Sequence, residues 1–169
     1  HKLMYNDYIL VGPKHDNDNC ESIEKILFKI KNNKLIFISR GDQSGTHIKE
    51  IQLWNSININ TQIFTSWYKK IGQGMGATLL MTNEMKAYTL TDRGTWISFN
   101  KKENIKIVCE NKPALQNQYS IIAVNGSINS NINSLGAKKY IDWIISEEGK
   151  KLINRFRKNN EQLFFFNHH

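Results

Sequence analysis

Apolar residues follow two periods along this chain, and switches between them mark the elements. Met4 to Val11 alternates and is β-rich, and Gly12-Pro13 ends it. Ser22 caps a predicted helix running to about Lys31, with Ile23, Ile26, Leu27 and Ile30 on one face, and Asn32-Asn33 stops it. Leu35 to Ser39 reads as a short buried strand. Further helices are predicted from Ser44 to about Ser56, from Gln62 to Lys70 (packing face Ile63, Phe64, Trp67 and Tyr68), and from Ala77 to Met85. Ala87 to Leu90 reads as a strand, followed by a helix near Gly94 to Phe99 capped by Thr91 or Asp92. Ile105 to Cys109 and Tyr119 to Val124 read as strands. A last long helix spans about Leu135 to Phe156, with Gly149 as a kink point, and Leu163-Phe164-Phe165-Phe166 forms an apolar tail. Trp54, Trp67, Trp96 and Trp143 sit at helical core spacing and read as packing.

Strands alternating with helices imply an α/β layer structure with a mainly parallel sheet flanked by helices. Such sheets bind ligands beyond the carboxyl ends of their strands. No internal repeat or low-complexity linker interrupts the pattern.

With 169 residues, 40% hydrophobic, the chain is long enough for a real core. No apolar run approaches the roughly 20 residues that span a bilayer. The net charge of +8 raises the question of nucleic acid. The lysines, however, come as scattered pairs (Lys69-Lys70, Lys101-Lys102, Lys138-Lys139, Lys150-Lys151), not as one stripe interleaved with aromatics. Dispersed charge of this kind is a solvated surface, and no nucleic-acid partner is expected. Cys20 and Cys109 fit no zinc or redox spacing. Cys109 alternates with apolar residues and reads as a core thiol; a disulfide is the alternative in an exported protein. Asn167-His168-His169 reads as the start of a purification tag, so no metal site is expected from these histidines.

The chemistry concentrates in Ser39-Arg40-Gly41-Asp42-Gln43-Ser44-Gly45-Thr46-His47, a strand end turning through glycines and hydroxyls into a helix. The first N–H groups of a helix lack intrahelical partners and carry about half a positive charge. Arg40 adds a full charge and a planar fork of donors. Ser44 and Thr46 hydroxyls, with the N–H groups of Ser44, Gly45 and Thr46, can donate to an oxyanion. A second helix start near Met75-Gly76, after the glycines of Gly72 to Gly76, supplies about another half charge. That turn is either a second anion contact or only a tight turn. A tetrahedral dianion needs about two positive charges, and these sources sum close to that. Asp42 either caps the helix or orients Arg40. Ser44 and His47 on one helix invite a nucleophile–base reading. No third orienting group is evident, so His47 reads as a packed or exposed histidine, and no enzyme is expected.

Four blocks, in order, resemble one family: Met4-Tyr5-Asn6-Asp7-Tyr8; the Ser39 to His47 run; Gly72-Gln73-Gly74-Met75-Gly76-Ala77-Thr78-Leu79; and Ala87-Tyr88-Thr89-Leu90-Thr91-Asp92-Arg93-Gly94-Thr95. The family is the tungstate-binding proteins of bacterial tungstate ABC importers, whose tail Leu163-Phe164-Phe165 also resembles. The resemblance implies a two-lobed periplasmic-binding-protein fold, type II-like, with the anion clamped between lobes. Residues 1–12 would be the strand crossing the hinge and residues 13–117 lobe two. Residues 118–167 would be a return strand and C-terminal helix of lobe one, and residues 168–169 the tag remnant. The family's threonine- and serine-rich anion loop, with the rest of its first lobe, is absent from this chain. The implied function is an extracytoplasmic solute receptor that binds tungstate, or molybdate, without a cofactor and delivers it to a membrane permease. The ligand residues implied are Ser39, Arg40, Ser44, Gly45, Thr46, Met75 and Gly76, supported by Asp42, Asn6 and Asp7. Asp92 to Thr95 reads as a capped turn with an ion pair. A homodimer or domain swap would cover apolar surface. The rivals are a ligand-sensing domain of a transcription regulator and an esterase using Ser44 and His47.

Overall fold

The computed structural model describes residues 1–63 and 66–168. The chain divides into two compact units, one of Asp7–Gln116 and one of His1–Asn6 with Asn117–His169. The long strand β1 (Lys2–Pro13) contributes to both.

In the first unit, β1 is followed by α1 (Ile23–Asn32), β2 (Phe37–Ser39), α2 (Gly45–Ser56), β3 (Tyr68–Lys70), α3 (Met75–Met85), β4 (Thr89–Asp92), α4 (Arg93–Ser98) and β5 (Ile105–Cys109). The alternation of β1 builds three layers. Tyr8 and Leu10 enter one core with Ile26, Ile30, Phe37, Trp54 and Tyr68, whereas Ile9 and Val11 enter another with Met75, Leu79, Trp96 and Ile105. Successive strand residues point to opposite faces, so one strand seats helices on both sides.

The strand directions correct the expected mainly parallel sheet. β1 runs antiparallel to β4 (Leu10 opposite Leu90) and to β5 (Val11 opposite Ile107). Parallel pairing is seen between β2 and β3 and at the bridge between Phe37 and Tyr88. The run Ile9-Leu10-Val11 is apolar because both faces of β1 are buried. Double burial yields such a run in either direction, although it is the usual mark of parallel strands.

Two further expectations change. The helix from Gln62 to Lys70 is replaced by a 3₁₀ turn (Thr61–Ile63) and β3, and Phe64 lies outside the described residues. Trp67 and Tyr68 are buried as expected, but Trp67 lies in the turn before β3 and Tyr68 in the strand itself, where it opposes Phe37 in register and stacks on its ring at 5.7 Å. Aromatic residues fit such a pleated surface well, and packing against β2 outweighs weak helical periodicity. Cys20 and Cys109 form a disulfide with Cα atoms 5.1 Å apart, correcting the core-thiol reading. Cys109 is buried as expected, but the turn at Lys14 and His15, closed by the Asp16 N–H on the Pro13 carbonyl, leads Cys20 onto it. That turn is held by Asp16, which is 6% exposed and accepts from Lys29 (2.8 Å) and Tyr88 (2.6 Å).

In the second unit, β6 (Gln116–Ser120) and β9 (Phe165–Phe166) pair with β1; Met4 opposes Phe166 and Tyr5 opposes Phe165. Residues 121–124, expected to be strand, follow β6 without regular structure, and Ile122 is 81% exposed. The long C-terminal helix is two helices, α5 (Ser134–Ile144) and α6 (Glu147–Arg155). The break falls at Ser146, which accepts from the Gly149 N–H, with Glu147 and Glu148 in the first turn. This is a helix-start signature, a hydroxyl cap followed by acids at the positive end of the dipole. Gly149 is a close-approach residue, since a Cβ there would run into the Ile144 carbonyl. Trp143, read as packing, is 39% exposed. Of the apolar tail, Leu163 is buried while Phe165 is 39% exposed. A hairpin of β7 (Arg157–Lys158) and β8 (Glu161–Gln162) precedes it.

The disulfide spans 89 residues of sequence, so reducing it should lower the stability of the Asp7–Gln116 unit by about 4–5 kcal/mol in the loop-entropy picture. Urea unfolding with and without reductant measures this, and coincident curves would contradict the bond.

Candidate functional site

The site is built on the parallel pair β2 and β3. Phe37, Ile38 and Ser39 oppose Tyr68, Lys69 and Lys70. The pairing continues past the strand ends: the Ile71 N–H donates to the Ser39 carbonyl (3.1 Å) and the Gly72 N–H to the Arg40 carbonyl (2.8 Å). The chain entering α3 is thereby held against the loop entering α2. Both loops leave the carboxyl ends of neighbouring parallel strands, the location where α/β sheets bind ligands.

The loop from Ser39 to Ser44 is folded around Asp42. The Arg40 guanidinium donates from Nη2 to Asp42 Oδ2 at 2.5 Å, and the Ser44 N–H donates to Asp42 Oδ1 at 3.1 Å. Hydrogen bonds from the Ser44 hydroxyl and N–H, then from Arg40, outweigh desolvation and hold this carboxyl near 2. Asp42 therefore orients Arg40 and also satisfies a donor at the helix entrance. The cap of α2 itself is Ser44, whose Oγ accepts the His47 N–H at 3.4 Å. Gly41 lies at φ +62, and a Cβ there would stand 3.0 Å from Lys70 Cβ. Glycine is what lets the loop turn this closely over β3.

Arg40 is mostly buried, its side chain 19% exposed, and its Nε is buried without a hydrogen bond among the described residues. A buried orphan donor costs free energy unless something accepts from it. The His47 ring accepts the Gln43 N–H at Nδ1 (3.0 Å), and burial pulls its pKa down from the ordinary histidine value. The ring is thus turned to Gln43, and the Ser44 hydroxyl is engaged by the His47 backbone. This geometry does not pair them as nucleophile and base.

α3 begins at Met75 behind Gly74, which provides no side-chain cap, so its first N–H groups rely on an outside acceptor. Gly76 is exposed. The Met75 side chain is buried with Ile9, Val11, Leu79 and Trp96, so only its backbone faces the helix entrance. Gly45 opens α2 and Thr46 is buried just behind it. Asn6 and Asp7 are elsewhere engaged. Asn6 accepts from Asn117 at 2.8 Å; Asp7 takes two bonds from Arg93, which also donates to Glu110. Asp92 caps α4 through the Thr95 N–H at 2.8 Å.

Beneath the loop lies a residue that the sequence reading passed over. Glu50 is 3% exposed and accepts from the Tyr68 hydroxyl at 2.5 Å. Burial pushes its carboxyl up to about 7, against smaller pulls from Tyr68, Ser39 and Trp54. Its signal was available, because Glu50 falls on the Thr46, Leu53 and Trp54 face of α2, where an acid is out of place. Among the described residues no cluster of His, Cys, Asp and Glu could hold a metal ion. What the arrangement offers instead is one guanidinium, two helix entrances and hydroxyl donors, a set suited to an oxyanion.

Residues 1–148 match the PBP superfamily domain. The chain belongs to that superfamily, and its layered α/β fold agrees with the match. Within it, the chain is similar to tungstate-binding proteins named TupA. It is 44% identical over 161 residues to the one from Peptoclostridium acidaminophilum, covering 92% of this chain and 56% of the relative. It is 39% identical over 168 residues to the one from Campylobacter jejuni, covering 96% and 62%. The solved structure of TupA from Desulfovibrio alaskensis G20 superposes with a TM-score of 0.90 at 36% identity, covering 99% of this chain and 70% of that one. The chain thus spans little more than half the length of the curated relatives it matches.

The two displaced carboxyls act oppositely on stability. Asp42 (about 2 folded, 3.8 ordinarily) stabilises above pH 3.8, and this is lost as pH falls toward 2. Glu50 (about 7 folded, 4.5 ordinarily) favours the fold below pH 4.5, and this is lost as pH rises through 7. Urea unfolding across pH should show both limbs; Asp42→Asn should flatten the acid one and Glu50→Gln the neutral one, and unchanged limbs would refute the assignments.

Proposed function

We propose that this chain is the anion-binding part of an extracytoplasmic solute receptor that captures tungstate, with molybdate as its near-isosteric competitor, and passes it to an ABC permease. The observation that carries this reading is Arg40 held at the entrance of α2 while the β2–β3 pairing sets the entrance of α3 alongside. Arg40 supplies one charge and the two helix entrances about half each, close to what a dianion requires. Ser39, Ser44, Gly45, Thr46, Met75 and Gly76 supply hydroxyl and backbone donors, and the orphan Arg40 Nε is a further one. Asp42 holds Arg40 ready and yields part of its hold when a doubly charged oxyanion arrives.

The ligand choice rests on the names of the TupA relatives. A location outside the cytoplasm is supported by the disulfide, a bond of oxidising compartments. No helix among the described residues is long and apolar enough to cross a membrane. In the two-lobed reading, residues 1–12 cross between lobes, residues 13–117 are lobe two, and residues 118–167 belong to lobe one with Asn6 and Asp7 near the crossing. The protein acts by binding, with neither cofactor nor catalysis. The relatives favour a receptor over the regulator domain, and the homodimer or swap anticipated from sequence finds no support in them.

Isothermal titration of tungstate, molybdate and sulfate tests this. Tungstate should bind in preference to sulfate. Arg40→Ala should weaken it about tenfold to a hundredfold, the worth of charge-assisted hydrogen bonds, and Ser44→Ala by about tenfold or less. No tungstate uptake, or wild-type affinity in Arg40→Ala, would overturn the reading.

A further inference from the structure

We propose that Glu50 is a proton-linked positioning residue of the anion loop, a buried acid joining α2, β2 and β3 beneath Ser39, whose ionisation weakens oxyanion binding. The proposal rests on the anion-site reading above. It starts from a cluster which that reading leaves unused. Glu50 sits one turn after Thr46 and one turn before Trp54 on the buried side of α2. Its Oε1 accepts from the Tyr68 hydroxyl of β3. The Ser39 hydroxyl, the last side chain of β2 and fully buried, lies close enough to favour the carboxylate, yet makes no hydrogen bond of ordinary geometry among the described residues. Ser39 is also where the anion loop begins, and its carbonyl anchors the Ile71 N–H of the other loop.

A purely structural acceptor here could be a glutamine. A carboxyl differs in two respects. First, no salt bridge reaches Glu50 among the described residues and Lys70 acts on it only from a distance, so its negative charge stands under the proposed dianion loop, and like charges repel strongly at low dielectric. Second, its proton redirects Ser39. An ionised Glu50 can only accept, so it draws the Ser39 hydroxyl hydrogen toward itself. Once protonated from solvent, the carboxyl can donate to Ser39 Oγ while its other oxygen keeps the Tyr68 bond. The Ser39 hydrogen is then free for an anion in the loop. By linkage, protonation raises anion affinity by the same factor that the anion raises proton affinity.

The groups around Glu50 leave its titration distinguishable. From β3, Tyr68 is pushed up by burial and by Glu50, so it keeps its proton, and Lys70 is the cation acting on the carboxyl. From β2, Ser39 acts on both Glu50 and Tyr68, and from the 3₁₀ turn Thr61 acts on Tyr68; neither side chain titrates. On α2 itself, His47 faces Asp42, Lys70 and Arg40, and burial lowers its pKa from the ordinary histidine value; the Glu50→Gln variant keeps His47, so it separates the two titrations.

The test is titration of sodium tungstate from pH 6.5 to 8.5, with carbon-13 NMR of the Glu50 carboxyl in the ligand-free chain. The dissociation constant should rise about sixfold across this range, most of the roughly tenfold that a one-unit shift of Glu50 on anion binding gives over a full titration. It should stay flat in Glu50→Gln. Tyr68→Phe, which keeps the carboxyl but removes a bond to its ionised form, should move the break to higher pH. Without ligand, the Ser39 and Arg40 amide shifts should follow the Glu50 midpoint. A slope that persists in Glu50→Gln, or amides that ignore the Glu50 midpoint, would overturn the proposal. Absence of tungstate uptake at every pH would instead overturn the anion-site reading, and the ligand-free shifts would still decide whether Glu50 governs the loop.

Discussion

The parallel register of β2 with β3 is the constraint on which the candidate site depends. Three residues on each strand are enough, because Ile71 and Gly72 extend the ladder into the loops by donating to the Ser39 and Arg40 carbonyls. This fixes which backbone atoms of one loop meet the other. It also explains Gly41, where the chain turns at positive φ over Lys70 and a side chain would crowd it. Were the strands to slip by one residue, every side chain would change face, and Tyr68 would leave both the Phe37 ring and Glu50.

On that frame the charges are arranged with economy. Arg40 does not wander in solvent; Asp42 holds its fork, and the same carboxylate takes the Ser44 N–H at the entrance of α2. A local carboxylate in such a place keeps donors aligned at little entropic cost, since the loop already exists. Glu50 lies on the other side of the same loop, shielded from water and without a full counter-ion. Two acids therefore bracket the proposed anion site, one held ionised by its donors and the other poised near neutrality by burial.

The rest of the Asp7–Gln116 unit serves to hold this edge rigid. Tyr8 and Leu10 point to one layer, Ile9 and Val11 to the other, so β1 fastens helices on both faces. The disulfide and the Asp16–Lys29–Tyr88 network pin the turn before α1 to the end of β5 and the start of β4. Arg93 is held by Asp7 and Glu110 in the same manner. These contacts are saturated, which marks them as framework. Arg40 Nε, the Ser39 hydroxyl and His47 Nε2 are, by contrast, buried without a hydrogen bond among the described residues, and all three belong to the candidate site around the β2–α2 loop.

The sequence by itself determined whatever is encoded within a turn or two of chain. It specified the cap at Ser22, a cap for α4 at Thr91 or Asp92, the start of α2 near Ser44, the apolar face of α1, the strand from Ile105 to Cys109, and the glycine-rich loops, the first of them opening on Arg40. Local hydrogen bonding and side-chain period act at that range, so they leave a legible trace. Tertiary structure decided what depends on partners distant in sequence. The antiparallel course of β1 could not be read, because a doubly buried strand has the same composition in either direction. Tyr68 became a strand residue because Phe37 was there to receive it. Cys20 found Cys109 only once a turn had folded back across the sheet. Glu50, unremarkable in a linear reading, acquired its displaced proton affinity from burial alone, and burial is a property of the fold.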